Sequence, residues 1–198
     1  MSVVQIKTFG DIPINKKEIL RYAGCENAQG EILSIFEECI SPAENCVQNK
    51  VCYKILDLSV NGNLCNFGEF SVYSKDLAKN LKSCKQVILF ASTIGVDFDR
   101  LILRYSKISP AKAVMLQAIG SERAESLCDE FCSWLEQELK VKLKPRFSAG
   151  YGDLPLEAQK QIFASLDCAK NIGVTLNDSL LMSPSKSVTA FVGIEEFL

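Results

Sequence analysis

Apolar and polar positions along the chain alternate with two periods, and the changes of period mark out the elements. From Asn15 to Ala23 the spacing predicts a short helix, with Asn15 as its cap and Glu18 completing a capping-box pattern. Gly24 ends it. A second helix is expected from Gln29 to Ile40, with Ile32, Ile35, Phe36 and Cys39 on one face and Pro42 as its limit. Alternation then takes over from Val51 to Val60, slipping phase between Ile55 and Leu56. That slip fits a bulge or a strand buried on both faces. Asn61-Gly62 reads as a two-residue hairpin turn into an antiparallel partner strand, Leu64 to Phe70.

Ser74 to Leu81 reads as a short capped helix, and Gln86 to Ser92 as a buried strand. Thr93-Ile94-Gly95 turns into a helix over Asp97 to Tyr105. Ser109-Pro110 then caps a long helical stretch, Ala111 to Leu139, with a potential break at Gly120-Ser121. Ala124, Leu127, Phe131 and Leu135 form its core-facing stripe. After the basic stretch Lys140 to Lys144 comes a bent loop, Arg146 to Pro155, then a helix over Leu156 to Leu166. Gly173 opens the last region, where Ser187 to Ile194 alternates with period two. No repeat, low-complexity tract or linker divides the chain. The fold class expected is α+β: a single domain, with a twisted, largely antiparallel sheet flanked by helices.

Composition narrows the function. With 198 residues and a net charge of -2, the chain can bury one sizeable core and has no overall basic field for nucleic acid or anionic lipid. Met1 to Thr8 lacks the layout of a secretory leader, and the apolar run Val87 to Ala91 is too short to span a bilayer, so a cytoplasmic location is expected. Nine cysteines occur without any Cys-x-x-Cys pair, which argues against a zinc or iron-sulfur site and for reduced, buried thiols. Cys128 and Cys132, one helical turn apart, are the pair to which a redox role would fall. There is no histidine. Ser-His-Asp and Cys-His catalysis are thereby excluded, and chemistry would fall to carboxylates, Tyr, Lys, Cys or a bound cofactor.

The segment Arg146-Phe147-Ser148-Ala149-Gly150-Tyr151-Gly152-Asp153-Leu154-Pro155 concentrates the groups that could meet a ligand. Its glycines and proline bend the backbone tightly. Arg146 offers a planar fork for a carboxylate, and Tyr151 a ring face for a base or a cation. S-adenosylmethionine presents a carboxylate, a sulfonium and an adenine. The plainer reading of the same residues is a surface loop with Arg146 in an ordinary ion pair.

This run resembles the signature of the activation domain of cobalamin-dependent methionine synthase: an arginine, a small residue, Gly-Tyr, then a proline. Further similarity lies in Gly173-Val174-Thr175-Leu176-Asn177-Asp178-Ser179 and Met182-Ser183-Pro184-Ser185-Lys186-Ser187-Val188-Thr189. Thr93-Ile94-Gly95 and the helix Glu125 to Leu135 also look like the small stand-alone version of that domain. On this resemblance residues 1–198 form one activation-domain-like unit, with 86–198 the ligand-binding part and 1–85 an N-terminal part of weaker resemblance.

The resemblance implies the following site. Arg146 would face the ligand carboxylate, backbone groups of Ser148 and Gly150 would contact the nucleoside or amino group, and Tyr151 would line the pocket. A family glutamate on the long helix matches Asp129, with Glu125 four residues earlier as the substitute; either would answer the ligand ammonium and sulfonium. The alternative for both is a solvated acidic stripe continuing through Glu122 and Glu136. Two positions depart from the family. Ala149 replaces a proline, which loosens the loop, and Val192 replaces an aromatic that Phe191 or another aromatic would have to supply.

The implied chemistry is reductive methylation of cob(II)alamin, through cob(I)alamin, by S-adenosylmethionine. The cobalt is the nucleophile, so the protein's part is positioning, and no catalytic side chain is assigned. Without histidine no Asp-x-His-x-x-Gly corrinoid motif is possible here. The expected partners are therefore a cobalamin-binding methionine synthase lacking its own activation module and a flavodoxin-like electron donor. Two other readings stand beside it: a docking or scaffold partner of another corrinoid methyltransferase, with little S-adenosylmethionine affinity, and a Rossmann-type methyltransferase starting at Val87. The latter needs several glycines after the strand, where only Gly95 stands.

Overall fold

A computed structural model describes residues 3–195. Met1 and Ser2, within the stretch read for a leader, and residues 196–198 of the expected domain lie outside the described residues. The chain runs β1 (Gln5–Thr8), α1 (Lys16–Tyr22), α2 (Glu31–Glu44), β2 (Lys50–Asp57), β3 (Ser59–Asn61), β4 (Leu64–Asn66), β5 (Ser71–Tyr73) and α3 (Lys75–Asn80). It continues β6 (Gln86–Thr93), α4 (Val96–Ile108), α5 (Pro110–Leu139), β7 (Lys142–Leu143), α6 (Ala158–Leu166), α7 (Cys168–Ile172), β8 (Thr175–Leu176), β9 (Met182–Ser183) and β10 (Ser187–Glu195).

The main sheet has the order β1-β2-β6-β10-β7, every neighbouring pair antiparallel. Its central strands are buried on both faces. Ile88 and Phe90 of β6 and Ala190 and Val192 of β10 point into one core with α1, α2, α4 and α5. Val87, Leu89 and Phe191 point into a second core with α3, α6 and α7. The expected α+β class, with one twisted antiparallel sheet flanked by helices, is the architecture observed. Among the described residues no helix is long and apolar enough to cross a membrane.

Several elements differ from expectation. The stretch Val51 to Val60 is two strands rather than one. At Leu58 the chain leaves the main sheet, and β3 joins β4 and β5 in a small sheet of its own. The phase slip at Ile55 precedes this change of sheet. The hairpin loop is Gly62-Asn63, because Asn61 itself pairs with Leu64, and the strand expected to reach Phe70 ends at Asn66. Pro42 does not limit α2 but sits within its last turn, and Ile32 lies outside the buried face. The sequence reading missed β1, β5, β7, α7 and the β8–β9 hairpin, all of them short.

Helix α5 is unbroken through Gly120-Ser121. Gly120 is there for proximity: a Cβ would lie 2.6 Å from Phe98 Cε1 and 2.9 Å from Lys186 Cε. Pro110 opens the helix at its first position, while the Ser109 side chain makes no capping bond. At α1, Asn15 caps as expected, accepting from the Glu18 N–H at 3.2 Å. The returning half of the capping box is absent, since the Asn15 N–H donates instead to Glu122 Oε1 at 3.0 Å. Glu122 is not part of a solvated stripe. It is buried against Arg123, whose Nε donates to its Oε2 at 2.6 Å, while Arg123 Nη1 and Nη2 donate to the carbonyls of Ile12 and Pro13. The two neighbours on α5 thus clamp the chain that leads into α1.

Candidate functional site

Arg146 stands where β7 has ended and the chain turns along the edge of β10. Immediately after it, Phe147 exchanges both backbone hydrogen bonds with Phe191, at 2.9 and 2.8 Å. This bridge fixes the start of the loop on β10 and leaves Arg146 facing α5. There Nη2 donates to Glu125 Oε2 at 2.9 Å and lies 3.0 Å from Asp129 Oδ1. Glu125 and Asp129, one turn apart on α5, therefore converge on a single guanidinium. Arg146 is partly buried, whereas the Asp129 side chain is 74% exposed and open to a ligand.

Thiols lie beneath the arginine. Cys128 is fully buried, with its Sγ 3.3 Å from the Ser92 hydroxyl of β6. Burial pushes its pKa up to about 12 and that of half-buried Cys132 up to about 11, although Arg146 pulls both the other way. Burial also opposes the charge on Arg146; Cys128, Asp129 and Glu125 outweigh it and hold its pKa above the usual value. Both cysteines thus remain protonated at neutral pH.

Two clefts meet at Asp129. One, of about 250 Å³, is walled by Asn15, Glu18 and Tyr22 from α1 and by Glu122, Glu125, Ser126 and Asp129 from α5. The other, about 590 Å³ and more open, runs over Asp129, Cys132, Ser133 and Glu136 to Leu143, Lys144, Pro145 and Arg146. A zwitterion laid across them would find a guanidinium on one side and carboxylates with an aromatic ring on the other. A separate cleft of about 510 Å³ is bordered by Asp11, Ile14, Glu44 and Arg123, whose guanidinium is already committed to Glu122 and to backbone carbonyls.

The rest of the loop forms a closed turn. The Gly150 N–H donates to the Leu154 carbonyl at 2.9 Å, the Tyr151 N–H to the Ser148 carbonyl at 3.1 Å, and the Leu154 N–H to the Tyr151 carbonyl at 3.0 Å. Gly150, with φ of +87°, takes a conformation that side chains disfavour. The Gly150 N–H and one lone pair of the Ser148 carbonyl are thus already engaged. Tyr151 is 70% exposed, its ring edge-on to Phe147 at 6.4 Å. It borders neither cleft at Asp129. Ala149 and Leu154 face inward and pack into the second core.

Sequence reasoning overlooked what holds this turn. Asp153 accepts from the Ser74 hydroxyl at 2.5 Å and from the backbone N–H groups of Lys75 and Asp76 at 2.8 and 3.1 Å. The Ser74 hydroxyl first, and then these N–H groups, hold the Asp153 carboxyl below the usual range. The α1 wall of the smaller cleft was missed as well; only the packing of α1 on α5 brings Tyr22 near Asp129. As for the aromatic absent at Val192, Phe191 does not supply it. Val192 is buried in the first core, and Phe191 is buried on the opposite face, stacked on Phe67 at 4.9 Å.

No family model matches the chain, and no curated protein matches it in sequence. Among solved structures it is similar to the MetH reactivation domain bound to AdoHcy. That similarity has a TM-score of 0.69 at 14% sequence identity, and covers 99% of this chain and 80% of that one. The chain thus has the fold of that domain.

Proposed function

We propose that this protein binds S-adenosylmethionine at Arg146, Glu125 and Asp129, and presents its methyl group to a cobalamin carried by a separate methionine synthase. The observation that carries the reading is the meeting of one guanidinium and two carboxylates at the mouth of the Arg146 to Pro155 loop. The fold in which they meet is that of a domain solved with AdoHcy, the demethylated form of the ligand.

In this reading the ligand carboxylate displaces one acidic partner of Arg146 and takes a charge-assisted pair with it. The freed carboxylate, Glu125 or Asp129, then accepts from the ligand ammonium and offsets the sulfonium charge. Tyr22 at the end of α1 borders the smaller cleft, with the Arg21 guanidinium already over one face of its ring at 4.6 Å, and Tyr151 offers an exposed ring to whatever docks over the loop. Methyl transfer forms a cobalt–carbon bond as the sulfonium C–S bond breaks. The corrin supplies the nucleophile after one-electron reduction by a flavodoxin-like donor. The protein contributes orientation and shielding, consistent with the absence of histidine from the chain.

Calorimetry of the purified protein with S-adenosylmethionine, paired with a reactivation assay on a cobalamin-loaded methionine synthase lacking an activation module, tests both halves. Heat of binding together with restored turnover supports the reading. Absence of binding, with and without the corrinoid partner, overturns it.

A second reading is favoured by one set of contacts. Arg146 is neutralised within the protein, the Gly150 N–H is spent in the turn, and Val192 offers no ring. These suit a docking partner of another corrinoid methyltransferase with little ligand affinity of its own. Recovery of such a methyltransferase with the protein, without S-adenosylmethionine binding, would select it.

A further inference from the structure

Helix α3 touches the candidate loop at both ends. At its amino end, Ser74, Lys75 and Asp76 together give three donors to the Asp153 carboxylate. At its carboxyl end, Asn80 Nδ2 donates to the Pro145 carbonyl at 3.1 Å, one residue before Arg146. Among the described residues the buried Asn80 Oδ1 has no hydrogen-bond partner, so the hold on Pro145 comes from the donor side of the amide. Between these two holds the loop packs onto the helix without clearance. A Cβ on Gly152 would come within 2.4 Å of Asp76 Oδ2, and Gly152 has a φ of +53°. The helix itself is anchored by Leu77 and Leu81, both fully buried in the second core beside Ala149 and Leu154.

We propose that α3 is a brace that holds the Arg146 to Pro155 loop in its ligand-ready shape, with Asp153 as the positioning residue. The inference rests on the reading of Arg146, at the mouth of this loop, as part of an S-adenosylmethionine site. It answers the sequence expectation that Ala149, standing in place of a proline, leaves the loop loose. A proline limits a loop through its own φ; here the same restriction comes from outside, through a carboxylate gripped by three donors and a carbonyl gripped by Asn80. Ordering a loop on binding costs affinity, and a loop already ordered avoids that cost. Asp153 touches no ligand in this account. It acts through the backbone of Gly150, Tyr151 and Gly152.

The test compares wild type with Asp153→Ala, Asp153→Asn and Asn80→Ala, all in the full chain. Calorimetry with S-adenosylmethionine reads affinity, amide hydrogen exchange over residues 148–154 reads loop order, and thermal melting reads the fold. The brace predicts roughly tenfold weaker binding for Asp153→Ala, faster exchange confined to the loop, and only partial recovery of affinity by Asp153→Asn, which keeps one acceptor oxygen for Ser74 and Asp76 but turns an amide NH2 toward the Lys75 N–H. Asn80→Ala weakens binding in the same direction and keeps the test open should Asp153→Ala fail to fold. Wild-type binding with unchanged affinity and unchanged loop exchange in the variants overturns the brace. Failure of the wild type itself to bind S-adenosylmethionine instead overturns the reading on which it rests.

Discussion

Arg146 Nη2 donates to Glu125 Oε2 at 2.9 Å, across the gap between the loop that leaves β7 and the exposed face of α5. Asp129 reaches the same nitrogen from one turn further along, at 3.0 Å. The cluster carries two negative charges and one positive. It is therefore complementary to a ligand whose own carboxylate is outweighed by an ammonium and a sulfonium.

The sign of an Asp129→Asn effect follows. If Asp129 serves the ligand cation, its removal weakens S-adenosylmethionine binding. Because the side chain is largely exposed, the loss is about 0.2–1 kcal/mol, or roughly 1.4- to fivefold. If Asp129 only masks Arg146, its removal strengthens binding. Calorimetry at low salt separates the two, and tighter binding contradicts this account.

Much of this arrangement was legible in the sequence, and the reasons for the misses are physical. The stripe Ala124, Leu127, Phe131 and Leu135 announces itself by period, because it buries one face of α5, and β6 by an unbroken apolar run, because both its faces are buried. Arg146 stood out by residue chemistry, and the two acids through the family resemblance. The α1 wall, the Asp153 clasp and the Asn80 hold could not, since each depends on segments far apart in sequence. Glu122 misled for a related reason. Its i,i+3 relation to Glu125 predicts a shared face, but Arg123 and the backbone before α1 draw it inward.

Gly120→Ala tests the packing of α5 on α4. In an exposed helix this change stabilises by about 1 kcal/mol. Here the new methyl would meet Phe98 at 2.6 Å and the Lys186 stem at 2.9 Å. Overpacking of about 1–3 kcal/mol reverses the sign, so chemical denaturation should show a net loss of stability.

Glu122→Gln probes the clamp at the entry to α1. Both side chains of the pair are nearly inaccessible, 7% for Arg123 and 3% for Glu122. Removing one charge from such a pair costs about 3–5 kcal/mol, because the other is left uncompensated. The melting temperature should fall markedly, and amide exchange should rise first over residues 12–15, whose backbone the pair holds.

The thiols give a prediction that depends on pH. Burial pushes Cys65 and Cys132 up to about 11 and Cys128 up to about 12. Thiolate is the reactive form, so these three remain protonated and inert toward a maleimide at pH 7 in the folded protein. They react once guanidinium unfolds it. Mass spectrometry of labelled peptides reads the difference, and folded-state labelling of Cys128 would contradict the packing described.

The most direct test of the central claim is S-adenosylmethionine binding by Arg146→Ala against wild type. Losing a charge-assisted pair with the ligand carboxylate costs about 1.5–3 kcal/mol, roughly a ten- to hundredfold loss of affinity. The carboxylates that Arg146 pairs with are exposed but its own side chain is mostly buried, so the melting temperature should fall modestly while the fold is kept. That combination is the predicted result. Equal binding by the two proteins would show that Arg146 does not hold the ligand, and would contradict the account.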